Sequence, residues 1–200
     1  ALDAREREQV VHDRGHAPAV ADGGGMYNND AIPDLTNCDF SENSADVGGA
    51  IANEDGGGAA LSNCQFADNV ASTFGGAVAN TGSAPEVSSC VFTGNSAGVA
   101  GGAMINGLGS APVISGSDFI ENNAGALGGA VANADLSDGQ FVDCGFGGNT
   151  SGAGGGFYNS GSDPTLTGCV FDFNIAIGDG GGFYSVSGGP TLSRCIFLNN

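Results

Sequence analysis

Apolar and polar positions along the chain recur with a period of about 26 residues. The most regular apolar position is a phenylalanine, and successive members of this column are separated by 25 to 27 residues. The column comprises Phe40, Phe66, Phe92, Phe119, Phe146, Phe171 and Phe197. An asparagine follows each of them three residues later, at Asn43, Asn69, Asn95, Asn122, Asn149, Asn174 and Asn200. A repeat this constant indicates seven copies of one structural unit.

Further columns give each repeat its own set of inward-facing side chains. An apolar residue precedes each phenylalanine by five positions, at Leu35, Leu61, Val87, Ile114, Phe141, Leu166 and Leu192. A paired glycine opens a second block whose apolar position holds Met26, Ile51, Val78, Met104, Val131, Phe157 and Phe183. Two residues later this block holds Asn28, Asn53, Asn80, Asn106, Asn133, Asn159 and Ser185. No repeat can bury its apolar residues alone, so neighbouring repeats must stack on one another.

The length of the repeat and its amino-acid composition indicate the fold. A period near 26 residues fits one coil of a parallel β-helix, with room for three short strands and three turns, whereas helical repeats need about 33 residues or more. Paired glycines would cost roughly 1 kcal/mol apiece in a helix interior. We therefore predict an all-β, right-handed parallel β-helix of seven coils over residues 23–200, with residues 1–22 as a non-repeat N-terminal arm or cap. Both asparagine columns are predicted to form amide ladders.

Two short motifs resemble those of a known family. The Gly-Gly-Ala-Ile sequence of residues 48–51 and the repeated Phe-x-x-Asn are similar to the repeats of the chlamydial polymorphic outer-membrane proteins and of other bacterial β-helix surface proteins. The resemblance covers residues 23–200. It implies an extracellular β-helix of the kind that serves as an adhesive surface passenger. Because the motifs are short and widespread, the resemblance implies the fold more strongly than any particular partner.

The charge balance narrows the range of partners. Acidic residues number 22 against 4 basic residues, which gives a formal net charge of -18. Such a charge opposes binding to a phosphate backbone or to an anionic membrane surface, so no nucleic-acid partner is expected. The chain also contains no apolar run of about 18 residues, so no membrane insertion is predicted.

Residues 1–22 lie outside the repeat and carry three of the four arginines. The charged stretch of residues 3–14 is predicted to form a short helix. We expect this arm to cover the first coil or to contact the acidic flank of a neighbouring rod. His12 and His16 have the spacing of some zinc sites, but no third ligand accompanies them, so no metal site is predicted there.

The six cysteines occupy one position of the repeat, two residues before the phenylalanine. They are Cys38, Cys64, Cys90, Cys144, Cys169 and Cys195, and Ser117 takes the same position in the fourth repeat. Neighbours in register would lie about 4.8 Å apart with parallel Cα–Cβ bonds, whereas a disulfide brings its Cβ atoms to about 3.8 Å. We therefore expect a column of buried, reduced thiols without disulfides.

Parallel β-helices also include polysaccharide lyases and hydrolases, and each of these enzyme classes requires particular catalytic residues. A lyase needs basic residues to neutralise a uronate, and the repeats contain only Arg194. A hydrolase needs two carboxylates that flank one glycosidic bond. The adjacent pair Glu54 and Asp55 falls in a variable turn, where solvated acidic residues are ordinary. We therefore predict no catalytic residues and no cofactor, with calcium in the acidic turns as the remaining alternative.

Tyrosine occurs only near the two ends of the repeat region, at Tyr27, Tyr158 and Tyr184. Side chains alternate along a strand, so these rings are expected on the face opposite the inward column that contains Met26 and Phe157. Outward-facing rings at these positions are candidates for binding a sugar.

The last repeat ends in an apolar segment, Cys195–Asn200, for which two interpretations stay open: the chain continues, or another copy stacks on it. The predicted function is an extracellular or cell-surface structural and interaction protein. Its rod would associate end to end into filaments or serve as an adhesive passenger with a carbohydrate or cell-surface partner. A polysaccharide-binding or polysaccharide-degrading protein is the alternative.

Overall fold

The computed structural model describes the backbone of residues 9–12 and the whole of residues 22–200. These residues form a right-handed, all-β parallel solenoid of seven coils about 26 residues apart, which confirms the predicted fold. Coils 1 to 7 begin at Gly23, Gly48, Gly75, Gly101, Gly128, Gly154 and Gly180. Every strand pairs in parallel with strands of the adjacent coils, so the backbone hydrogen bonds run along the rod axis. The described part of the chain contains no helix.

The strands align in four parallel sheets. Sheet I consists of β2 (Met26–Asn29), β6 (Ile51–Glu54), β10 (Val78–Thr81), β14 (Met104–Gly107), β18 (Val131–Asn133), β22 (Phe157–Ser160) and β26 (Phe183–Val186). Sheet II consists of β3 (Asp34–Thr36), β7 (Ala60–Ser62), β11 (Glu86–Ser88), β15 (Val113–Ser115), β19 (Gln140–Val142), β23 (Thr165–Thr167) and β27 (Thr191–Ser193). Sheet III consists of β1 (Gln9–His12), β4 (Cys38–Ser41), β8 (Gln65–Ala67), β12 (Val91–Thr93), β16 (Asp118–Ile120), β20 (Gly145–Gly147), β24 (Val170–Asp172) and β28 (Ile196–Leu198). Sheet IV consists of β5 (Ser44–Val47), β9 (Val70–Phe74), β13 (Ser96–Ala97), β17 (Asn123–Ala124), β21 (Thr150–Ser151) and β25 (Ile175–Ala176).

The expectation of three strands per coil is wrong for coils 1 to 6, because sheet IV supplies a fourth strand to each of them. The segment that follows each ladder asparagine is extended and pairs with its equivalents, as when Ser44 and Ala45 pair with Val70 and Ala71. These strands are mostly two residues long, which is too short for an apolar-polar alternation to be recognised in the sequence.

Strand β1 departs from the predicted helix of residues 3–14. It pairs in parallel with β4 and places Val11 opposite Phe40, while the rest of that segment lies outside the described residues. The edge of β4 offers unpaired N–H and C=O groups, and the adjacent Val10 and Val11 favour an extended backbone. Pairing with the sheet therefore wins over a short helix, which is marginal in water without packing.

Stacked phenylalanine rings form the centre of the core. Ring centroids of successive coils lie 4.5 to 5.1 Å apart, and the ring planes are within 6° of parallel. Three sets of side chains pack around this stack. They are the apolar column of sheet II that begins with Leu35, the first residues of the sheet I strands, and the cysteines. The rod therefore has one continuous core, to which each coil adds one layer.

The paired glycines allow the coils to close tightly. A Cβ at Gly49 would lie 2.1 Å from the carbonyl oxygen of Gly76, and a Cβ at Gly76 would lie 2.0 Å from that of Gly102. No larger residue fits between these backbones, so glycine is required at this position of the turn.

Candidate functional site

The phenylalanine-linked asparagines form an unbroken ladder along the rod. The amide nitrogen Nδ2 of Asn69 donates to Oδ1 of Asn95 at 2.9 Å and to the carbonyl oxygen of Phe40 at 2.8 Å. The backbone N–H of Asn69 also donates to Oδ1 of Asn95, at 3.1 Å. The same pattern continues to Asn200, whose Oδ1 accepts from Asn174. These side chains satisfy turn groups inside the rod, so they hold the coils in register.

The second asparagine column is interrupted near its C-terminal end. Asn28 to Asn133 are linked by Nδ2-to-Oδ1 hydrogen bonds of 2.7 to 2.8 Å. Asn133 then donates to the carbonyl oxygen of Ser137, and Asn159 donates to Ser162 and Ser185. The two segments of the column are therefore joined by turn contacts and not by an amide-to-amide bond.

The cysteine column contains six free thiols that hydrogen bond to turn carbonyls. Cys64 Sγ donates to the carbonyl oxygen of Ser62 at 3.4 Å, and its backbone N–H donates to Cys90 Sγ at 3.3 Å. Ser117 makes the equivalent bonds in coil 4, with its hydroxyl donating to Ser115 and accepting from the N–H of Cys90. Burial raises the pKa of the Cys38 and Cys195 thiols. The column therefore acts as a hydrogen-bonding element of the turn between sheets II and III.

Thiol accessibility is expected to differ sharply along this column. Five of the cysteines are buried, and only Cys195 is partly exposed. We expect a thiol reagent to modify one cysteine of the native chain rapidly and all six after unfolding. Cys195→Ser should abolish the rapid phase, while the matched Cys169→Ser should leave it intact. Rapid modification of any thiol in the native Cys195→Ser variant would contradict the arrangement.

The structure does not bring the three tyrosines together. Tyr27 lies in coil 1, is 49% exposed and donates to Oε2 of Glu54 at 2.6 Å, which raises the pKa of the Tyr27 phenol. Tyr158 and Tyr184 are partly exposed and stack on each other with ring centroids 5.7 Å apart. Tyr27 is therefore a single exposed ring near one end of the rod, and Tyr158 and Tyr184 form an aromatic pair near the other end.

The acidic turns use several carboxylates as backbone and side-chain acceptors. Asp138 accepts from the N–H of Asp163 at 2.7 Å, and Asp55 accepts from the side chain of Asn29 at 3.0 Å. Burial, followed by the charges of Glu54 and Asp46, raises the pKa of the Asp22 carboxyl. Among the described residues, no three His, Cys, Asp or Glu side chains are grouped to hold a metal ion. The His12 side chain and His16 lie outside the described part.

The described residues, 9–12 and 22–200, contain no helix that is long and apolar enough to cross a membrane.

The two ends of the rod differ in how their core residues are covered. In coil 1, Phe40 is 0% exposed and Leu35 is 8% exposed. In coil 7, the equivalent Phe197 is 46% exposed and Leu192 is 38% exposed. Ile196 and Leu198, on either side of Phe197, are also exposed. Coil 7 therefore presents a broad apolar face together with the edges of β26, β27 and β28.

Coil 6 carries a row of exposed apolar residues that was not identified from the sequence. Phe173, Ile175 and Ile177 are alternate residues, and all three are exposed. Phe173 has a φ of 54°, at a turn position where the other coils carry polar residues or glycine. Those residues are Glu42, Asp68, Gly94, Glu121, Gly148 and Asn199. The departure of Phe173 from a polar column was the signal available in the sequence, since a bulky residue at positive φ is uncommon.

A family model described as the right-handed β-helix region matches residues 22–200. No curated protein matches the chain.

Proposed function

Because the chain belongs to the right-handed β-helix family, we propose that it is a structural and interaction rod that associates end to end with copies of itself. The observation that carries this proposal is the apolar face of coil 7. Its Phe197 and Leu192 stand at the positions that Phe171 and Leu166 occupy in coil 6, where both side chains are fully buried by the next coil. A further layer of the same kind would bury the face of coil 7 equally well.

The coil contacts within the rod provide the template for this association. Phe171 and Phe197 stack with centroids 4.7 Å apart, and Asn174 donates to Asn200 at 2.8 Å. Coil 1 of a second copy carries the same residue types in the same register, with Leu35, Phe40 and Asn43. Docking of coil 1 on coil 7 repeats one translation along the axis, so it produces an open filament and not a closed dimer.

Charge sets the conditions for association. Each chain carries a formal net charge of -18, so two copies repel each other at low ionic strength. Salt screens this repulsion, since the Debye length is about 10 Å at 0.1 M. Salt does not weaken the favourable burial of apolar surface at the contact. End-to-end association should therefore strengthen as salt is added.

The experiment is a concentration series of the 200-residue chain by light scattering and electron microscopy, at low and high salt. We expect the mass to rise with concentration and Phe197→Asp to raise the onset concentration at least about tenfold, since a charge would be buried at the contact. The matched control Leu108→Asp alters an exposed apolar residue of coil 4, away from both docking coils, and should leave the onset unchanged. A chain that remains monomeric at high concentration and high salt would overturn the proposal.

The setting of this rod is proposed to be extracellular, at a cell surface. The proposal rests on the resemblance of its motifs to bacterial surface proteins, for which an adhesive passenger is the corresponding role. The family includes polysaccharide-degrading enzymes as well as proteins without catalytic activity. A non-catalytic role is supported by the turn contacts of Asp55 and Asp138 and by the presence of only Arg194 as a basic side chain in residues 22–200.

A second candidate function, carbohydrate binding, is favoured by the aromatic pair of Tyr158 and Tyr184. Their partly exposed rings offer apolar surface with hydroxyl groups at the edge, which suits the mixed faces of a sugar. Retention of the chain on an immobilised polysaccharide that is lost in Tyr158→Ala but kept in Tyr27→Ala would support this role. Equal retention of both variants would contradict it.

A further inference from the structure

We infer that β1 is a displaceable cap that blocks coil 1 and so limits end-to-end growth. The inference rests on the proposed association, whose second docking face is coil 1. It agrees with the sequence-based expectation that the arm covers the first coil. It predicts that removal of the arm strengthens association, whereas removal of an arm that contacts a neighbouring rod would weaken association.

The position of β1 supports a capping role. It continues sheet III by one strand beyond β4, in the register Gln9 to Cys38 and Val11 to Phe40. At the other end of sheet III, β28 is the last strand, and no described segment continues it. This difference matches the core exposure at the two ends, since Phe40 is buried and Phe197 is not.

The geometry makes β1 and a docked copy mutually exclusive. With β1 in place, the β28 strand of an incoming copy would reach β1 and not β4. Its β26 and β27 would then remain two strand spacings, about 9.6 Å, from β2 and β3, which is too far for sheet hydrogen bonds. Sheets I and II can therefore continue across the junction only after β1 leaves β4.

The competition explains how growth would be regulated. Strand β1 belongs to the same chain, so its pairing with β4 is favoured by an effective concentration in the millimolar range. An incoming coil 7 must overcome this advantage, but it pairs with three sheets and covers the core, whereas β1 pairs with one sheet. Growth should therefore begin above a threshold concentration that falls when β1 is removed or weakened.

The test compares the full chain, a chain lacking residues 1–21, and Val11→Pro, which removes a backbone N–H from β1. We expect both variants to lower the onset concentration of association by about tenfold or more relative to the full chain. Ala4→Pro, which places a proline outside β1, is the control and should leave the onset unchanged. The cap would be overturned if the full and shortened chains had equal onset concentrations while Phe197→Asp still raised the onset concentration. End-to-end association itself would then remain supported. A higher onset for the shortened chain would also overturn the cap, because β1 would then be part of the contact.

Hydrogen exchange of dilute, monomeric chains provides a readout that does not depend on association. The amides of Cys38–Ser41 should exchange faster in the shortened chain and in Val11→Pro than in the full chain, because β4 becomes an edge strand. Unchanged exchange would show that β1 does not cover β4 and would overturn the inference directly. If exchange of the β4 amides accelerates but neither the full chain nor any variant associates, β1 covers β4 without competing with another copy. Both the regulatory role and the proposed association would then be wrong.

Discussion

Replacing Asn122 with alanine is expected to lower the free energy of unfolding by about 4 kcal/mol, because four buried side-chain hydrogen bonds are lost at about 1 kcal/mol or more each. Asn122 is fully buried at the centre of the ladder. Its Oδ1 accepts from the backbone N–H and Nδ2 of Asn95, and its Nδ2 donates to the carbonyl oxygen of Phe92 and to Oδ1 of Asn149. Chemical denaturation followed by circular dichroism measures the change.

The neighbouring Asn123 provides a matched control. Its exposed side chain donates to Oγ1 of Thr150 at 2.7 Å on the surface of the rod. Asn123→Ala removes the same chemical group, but water can replace the lost partner, so the expected change is below about 1 kcal/mol. Equal losses of stability in Asn122→Ala and Asn123→Ala would show that the ladder contributes no more than a surface hydrogen bond.

Truncation of Phe92 to alanine is expected to cost about 3 to 5 kcal/mol, as for other fully buried phenylalanines. Its ring lies between those of Phe66 and Phe119, with centroid separations of 4.6 and 4.8 Å. The neighbouring coils are fixed by their own ladders, so they cannot collapse into the vacated space. The same denaturation experiment applies, and hydrogen exchange should show the largest loss of protection in coils 2 to 4.

Phe173 is the matched control for the phenylalanine stack. Its ring is 61% exposed and its φ is 54°, so truncation creates no interior cavity. Phe173→Ala should change the free energy of unfolding by less than about 1 kcal/mol. A loss comparable to that of Phe92→Ala would mean that the apolar row on coil 6 stabilises the monomer instead of remaining available for contacts.

Most of the fold was predictable because equivalent residues of successive repeats stack directly on one another. The phenylalanine spacing gave the number of coils, and Phe66 and Phe92 indeed pair in register. The predicted helix in the arm was wrong for Gln9–His12, because a local pattern does not reveal that a sheet edge is available to pair with it. The fourth strand of coils 1 to 6 was missed, since four of these six strands are two residues long and carry no periodic signal.

The residues that pair in register with the tyrosines in sheet I form one column, which includes Ala52 opposite Tyr27 and Ala132 opposite Tyr158, and it shows how tertiary packing changes a local prediction. Alternation places this column on the outer face of sheet I, and Tyr27 is exposed there. Ala52 and Ala132 occupy equivalent positions but are buried, because the glycine turns approach that face: a Cβ at Gly48 would lie 3.1 Å from the Cα of Ala52. Alternation therefore gives the direction of a side chain, whereas the approach of another segment decides its exposure.

The sequence by itself determined the period, the number of coils, the inward columns and the residues of the asparagine and cysteine ladders. These features follow from a repeating pattern, because each coil meets a near copy of itself and must match it position by position. Only the tertiary structure decided the pairing of β1, the interruption between Asn133 and Asn159, and the unequal coverage of Phe40 and Phe197. Those features arise where the repeat is broken or ends, and there the contacts depend on segments that no periodic pattern relates to one another.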